Sequence, residues 1–449
     1  MRLSRPLKLT ATATAFVALT ACSSIPFFGG SGNDDKEQLD KAGRVTMVLA
    51  EEAIAAKPEL ATESIDLLPA VDMASWPEAG GTPAKAPGHV NAAPDLKVAW
   101  RNSVGKGSSN KSAVSTPPVA SETAIYTLDA DQTIYATDLS SGRTLWKKEL
   151  KGLTKRDKTA LGGGLAVNDG TLIVASGFGY VTRLNANDGS EIWKRELGVP
   201  MTGAPTVKDG KIFVASNNNE IFSLDLQTGD TDWSDQAIAE SARVLGSPSP
   251  AAIEDFVIAP YSSGEIIAYL ANNGRRLWTD AISQAGRFTP ISEINDIGSR
   301  PVLAGGLVFA SSQSGITVAI DGRSGNRVWA RPIGSTQAPT LSGKFLFVIG
   351  TNATLAALDA GTGDAYWVTD LPQYKNEKKK KKRISYSGPL LASGRILIVS
   401  SYGEVLAFDP QTGEQTASLN VKDTTYIEPI AVQGKVFLLT DDAKLVAIQ

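Results

Sequence analysis

Histidine and cysteine occur once each in this chain of 449 residues, as His89 and Cys22. Those two shortages exclude a Cys/His metal set and any Ser–His or Cys–His nucleophile pair within the body of the protein. A positive surplus is also missing. Forty-seven acidic side chains against 44 basic ones leave a net charge of −3, which argues against nucleic acid as the main partner. Beyond the first twenty residues no apolar run is long enough to cross a bilayer as a helix. The lone triple glycine, Gly162 to Gly164, opens no helical pattern and is not a phosphate loop. Aromatic residues make up only 7%, yet eight of them are Trp, and seven of those recur at regular spacing.

The recurrence has three parts. An acidic or polar residue is followed four positions later by Gly, and that Gly four positions later by Trp. The copies are Asp138/Gly142/Trp146, Asn185/Gly189/Trp193, Asp225/Gly229/Trp233, Leu270/Gly274/Trp278, Asp321/Gly325/Trp329, Asp359/Gly363/Trp367 and Asp409/Gly413/Ala417. Leu270 breaks the first position and Ala417 the last. The glycines lie 38 to 51 residues apart, in the range of propellers and solenoids. Within one copy, Lys211 to Ser216 and Glu220 to Asp225 read as short strands, joined to their neighbours by turns such as Asp209-Gly210. The repeated Asp suits a turn cap better than a catalytic carboxylate, because its place relative to Gly is fixed. Each unit is about four strands, which must stack on neighbours to bury both faces. A Trp buried at each junction removes ~150–250 Å² from water, at most roughly 4–6 kcal/mol.

The last unit breaks off after Val436 to Thr440 and Lys444 to Ile448, without its own Gly and Trp. A strand of the missing kind lies upstream, Leu96 to Trp100, 46 residues before Trp146. The expected fold is therefore an all-β, eight-bladed β-propeller of four-stranded antiparallel blades over residues 94–449, its last blade closed by the N-terminal strand. Trp100, Trp146, Trp193, Trp233, Trp278, Trp329 and Trp367 are the expected docking residues between blades.

Residues 1–21 read as an export signal, with Arg2, Arg5 and Lys8 before the apolar stretch from Leu9 to Leu19. Leu19-Thr-Ala-Cys22 resembles a bacterial lipobox, which makes Cys22 the expected acylation site and implies a stable membrane anchor. Residues 22–93 have no repeat partner and read as a lipidated tether, with Val45 to Leu49 a candidate strand and Ala50 to Leu60 a candidate short helix. Trp76-Pro77 with Gly80-Gly81 is similar to the entry segment of quinoprotein-type propellers, placed to dock on the ring.

In a four-stranded blade the loops joining one blade to the next share a face with those between second and third strands. The connections 147–164, 234–247, 279–300 and 368–387 are long, and insertions gathered on one face mark it as the binding face. Two of them flank the fourth blade, one with Arg243-Val244-Leu245 and the other with Asp296-Ile297 to Arg300. Apolar residues beside Arg, near an acidic one, fit a protein interface. Lys378 to Lys382 with Arg383 forms the densest charge run, read as a solvated loop or a contact for an anionic surface.

Gly264-Glu-Ile-Ile-Ala-Tyr-Leu270, Arg276-Leu-Trp278, Ile282-Ser-Gln-Ala285 and the stretch from Asn295 to Val302, together with the lipobox and the Trp repeat, resemble the BamB family. The resemblance covers about residues 94–449. It implies a non-enzymatic lipoprotein scaffold without cofactor, on the periplasmic side of the outer membrane. The implied partners are the POTRA domains of BamA, with nascent outer-membrane proteins as a further one. Its contact surface falls on the same two loops. Asp296 matches an acidic contact position and Val244 an apolar one. The family's Arg falls at Leu245, with Arg243 two positions away, and a second Asp falls at Gly298. Two alternatives are a pyrroloquinoline-quinone dehydrogenase, which shares the docking repeat, and a binder of envelope polymers such as peptidoglycan.

Overall fold

In a computed structural model of the chain, the structure describes residues 54–238, 248–282, 297–313 and 315–449. Among them are eight four-stranded antiparallel sheets, one extra two-stranded hairpin, and no helix. Blades 1 to 7 follow the sequence at 119–149, 163–196, 206–236, 251–281, 302–331, 340–370 and 386–420. Blade 8 joins 430–448 to the strand Val98–Ser103. The strands expected at 211–216 and 220–225 are present as Lys211–Ala215 and Glu220–Asp225. At Asp209-Gly210 both residues have positive φ, as a tight hairpin turn requires.

The repeat explains how one blade locks to the next. Asp225 Oδ1 accepts the backbone N–H groups of Gln227 and Thr228, and Asp359 and Asp409 cap their turns the same way. The following Gly sits at φ between +70° and +74° in all seven turns. Each of these glycines also meets the indole of the preceding blade, so that an added Cβ would lie 2.5 to 3.0 Å from the ring. Glycine is thus needed twice, for the backbone angle and for the close approach. Six indoles then donate Nε1–H to the carbonyl next to the cap position, as Trp193 does to Leu226 at 3.1 Å and Trp367 to Pro410 at 2.8 Å. In every blade the pairing of the two outer strands shifts register at the residue just before Trp or its equivalent. This bulge turns the indole toward the next blade and leaves Leu145, Ile192 and Val328 exposed. Burial is less complete than expected: Trp278, Trp329 and Trp367 are buried, but Trp100, Trp146, Trp193 and Trp233 are only half-buried.

Blade 8 closes the ring as expected. Lys97 and Gln449 exchange backbone bonds of 2.8 and 2.9 Å, and Val98–Ser103 pairs with Lys444–Ile448. Its outer strand comes from elsewhere in the chain, so blade 8 has no Asp–Gly turn. Blade 7 accordingly carries Ala417, since no such glycine stands opposite to receive an indole.

The tether expectation needs correction from residue 54 onward. Residues 54–60 adopt turns and a bridge, not the expected helix, and residues 54–68 pack Ile54, Leu60, Ile65 and Leu67 onto blades 5 to 7. The candidate strand at 45–49 lies outside the described residues. Residues 76–93 then run round the inner strands in blade order. Trp76 pairs with Ala120 of blade 1, and Pro77 accepts from Val167 of blade 2. Glu78 takes Val207 of blade 3, Pro83 takes Ala252 of blade 4, and Ala84 takes Leu303 of blade 5. Ala86 packs at blades 5 and 6, Val90 bonds Leu391 and Ser393 of blade 7, and Ala93 bonds Gly434 of blade 8. This strap satisfies the inner strand edges that a bare propeller leaves open around its channel. Trp76 docks as expected and is buried, with Gly81 against its ring.

Candidate functional site

The short hairpins and Gly turns share one face with the strap, and the long connections rise from the other. Of the residues expected to bind a partner, Arg243, Val244, Leu245 and Asp296 lie outside the described residues. Ile297 is fully buried in the core between blades 4 and 5, beside Ile282. Its side chain packs inward and is not presented to a partner. Arg300 also departs from expectation: its guanidinium reaches across the channel to Glu428, in the connection leading into blade 8, at 2.5 Å.

The two loops flanking blade 4 have unusually well-fixed bases. At three other junctions a cation two residues after Trp donates to the carbonyl of the next blade's turn glycine. Lys148 does so to Gly189, Arg195 to Gly229 and Arg331 to Gly363. On either side of blade 4 the charge is inverted, with Asp235 after Trp233 and Asp280 after Trp278. Asp235 Oδ2 accepts from Arg276 Nε and from the Tyr269 hydroxyl, both at 2.8 Å, and Tyr269 meets the Tyr261 hydroxyl at 2.8 Å. Burial holds both phenols above the ordinary tyrosine range, so they stay neutral hydrogen-bonding groups. Arg327 forks onto both oxygens of Asp280 at 2.7 and 2.9 Å. Tyr269 and Arg276 belong to the 264–278 stretch that resembles the BamB family, and they hold the strand end at Asp235 and Gln236, after which the 237–250 connection begins. Ile282 and Ile297 bury both ends of the 283–296 segment. Both loops therefore leave the ring from rigid stems, which is what a precise contact surface requires.

The central channel opens on the same face. Its cavity of about 230 Å³ is lined by the starts of the innermost strands, among them Gly163, Ala204, Ser249, Arg300 and Glu428, with Ala79 of the strap as floor. Gly164 here allows blade 3 to close in: a Cβ would lie 2.2 Å from the Cα of Ala204. Beneath, Lys85 Nζ meets Glu78 Oε2 at 2.7 Å, both buried. Burial pulls the Lys85 ammonium below the usual lysine range, and Glu78 opposes that pull. The channel so holds two cations and two carboxylates, each carboxylate already facing a cation. No cluster of three or more His, Cys, Asp or Glu side chains occurs among the described residues. Glu78, Lys85 and Glu428 carry no repeat signature, and nothing in the linear order marked them.

Sequence comparison covers the middle of this ring: residues 130–369 match the family model described as outer membrane protein assembly factor BamB. The chain belongs to that family. The BamB relative from Escherichia coli (strain K12) is 25% identical over 355 residues, covering 78% of this chain and 88% of the relative. The one from Moranella endobia is 25% identical over 335 residues, covering 74% and 84%. The crystal structure of BamB from Moraxella catarrhalis superposes with a TM-score of 0.65 at 18% identity, covering 78% of this chain and 99% of that one. Quinohemoprotein alcohol dehydrogenase from Comamonas testosteroni shares the propeller fold, with a TM-score of 0.63 at 14% identity, covering 84% and 81%. At that identity the likeness is one of fold alone.

Proposed function

We propose that this BamB-family chain is a non-enzymatic scaffold of the outer-membrane β-barrel assembly machinery. It binds the periplasmic POTRA domains of BamA through the loops flanking blade 4 and so assists the folding and insertion of outer-membrane proteins. Cys22 is acylated and holds the propeller on the periplasmic face of the outer membrane. Family membership supports the role, and the observation that carries the placement is the pair of inverted Asp–Arg clamps, Asp235–Arg276 and Asp280–Arg327. They hold rigid the strand ends that precede the connections carrying Arg243, Val244, Leu245 and Asp296 in sequence. The covered channel floor and its paired charges fit a scaffold better than a cofactor enzyme. The exposed outer strands offer edges to which an extended client segment can add.

The test is co-purification from cells. Asp296→Arg combined with Leu245→Glu removes BamA from the purified protein while the unfolding transition is unchanged. Recovery of BamA at the wild-type level would remove this patch as the interface. A photocrosslinker at position 296 captures BamA in intact cells.

A further inference from the structure

Between blades 6 and 7 the chain forms a two-stranded hairpin, Tyr374–Asn376 paired with Lys381–Arg383, standing on the long-loop face. Its base is fixed to the ring. Gln373 donates to Asn352 O, Arg383 to Thr351 O and the Tyr386 hydroxyl to Pro372 O, while Lys375 lies 3.9 Å from the centre of the Tyr402 ring. Five consecutive lysines, Lys378 to Lys382, fill its turn and the start of its second strand, all exposed. Among the described residues none of these ammonium groups has a carboxylate partner. Glu377, the nearest acid in sequence, turns back to accept the Tyr374 N–H.

Two further observations separate this from an ordinary solvated turn. Lys380 and Lys382 have φ of +46° and +61°, where Gly or Asn would relieve the backbone. Charge occupies positions that local geometry would give to another residue. The run is also all lysine, whose compact ammonium suits many loosely oriented phosphates, whereas arginine would favour bidentate docking on a defined partner.

We infer that this hairpin is an electrostatic foot that rests on anionic phospholipid headgroups at the membrane surface. The inference rests on the reading that Cys22 holds the chain at a membrane. Residues 23–53 span up to about 100 Å at full extension, enough for the long-loop face to reach the bilayer. The hairpin stands two to three blades away from blade 4, so lipid contact leaves the proposed BamA surface free. Clusters of four to eight lysines next to a membrane are the size that anionic lipid recognises.

The experiment uses the exported chain with Cys22→Ser, so that no acyl group contributes, and vesicles of phosphatidylethanolamine with or without phosphatidylglycerol. Binding to the anionic vesicles, absent on the neutral ones and lost as salt is raised, is the expected result. Lys379→Gln/Lys380→Gln/Lys381→Gln lowers the vesicle affinity about tenfold or more. BamA binding, measured on the same samples, is unchanged. Equal binding to both vesicle types, or a variant that binds like wild type, would overturn the inference. So would loss of BamA binding with vesicle binding intact, since the lysines would then face an acidic protein. If the variant unfolds, the salt and lipid dependence of the parent chain decides alone. Failure of the BamA assignment leaves the vesicle result standing.

Discussion

Trp367 lies against Gly413 so closely that a Cβ on the glycine would come within 2.5 Å of the indole Cε3. The two residues belong to successive blades, and the same contact recurs from Trp100–Gly142 round to this pair.

Gly413→Ala therefore costs more than backbone strain. Gly394 has a nearly identical φ, +73° against +70°, and nothing within 4 Å of its missing Cβ. Gly394→Ala is expected to lose about 1 kcal/mol from strain alone. Gly413→Ala is expected to lose about 1–3 kcal/mol more, because the indole must shift. Denaturant unfolding of the two variants measures the difference; equal losses would mean the ring yields freely.

The channel pair gives a second expectation. Lys85→Met leaves Glu78 buried and without its cation, at a cost of about 3–5 kcal/mol. Lys85→Met combined with Glu78→Leu recovers part of that loss, as apolar packing replaces the ion pair. Glu78 also receives the Val207 N–H, so recovery is incomplete. A double-mutant cycle by thermal unfolding reads the coupling.

Acid tests the turn caps. The Asp138 carboxyl is held at about 2, first by the Ser141 hydroxyl, then by the Ser140 hydroxyl and the Ser141 N–H. A carboxyl depressed in the folded state stabilises fully above its unfolded value, near 4, and that contribution fades as pH falls toward 2. The stability gap between wild type and Asp138→Asn should be constant from pH 7 to about 5 and close between about 4 and 2. A gap that persists at pH 2 would mean the charge is not what stabilises the turn.

Much of the ring was legible because its rules are local. The Asp cap, the left-handed Gly and the Trp all fall within nine residues, and each answers to a short-range requirement. Counting them gives seven blades, and the truncated last unit with the unpaired Trp100 strand gives the eighth and the closure. Leu270 and Ala417 show the two kinds of exception. Leu270 simply forgoes a cap, whereas Ala417 reflects a turn that blade 8 does not possess. Ile297 misled because an apolar residue in an insertion reads alike whether it faces a partner or the core. Arg300 misled for a related reason: Glu428 is 128 residues away, and no pattern in the chain connects them.

The order of residues alone determined the blade number, the strand pairing within each blade and the site of closure, since all three follow from turn chemistry and alternation. Only the folded ring decided that residues 76–93 visit the blades in sequence. Backbone N–H and C=O groups are the same at every position, so a strap that bonds mainly through them writes no side-chain signature. The ring likewise decided that four charges meet in the channel, because curvature over eight blades brings together groups that neighbour one another nowhere along the chain.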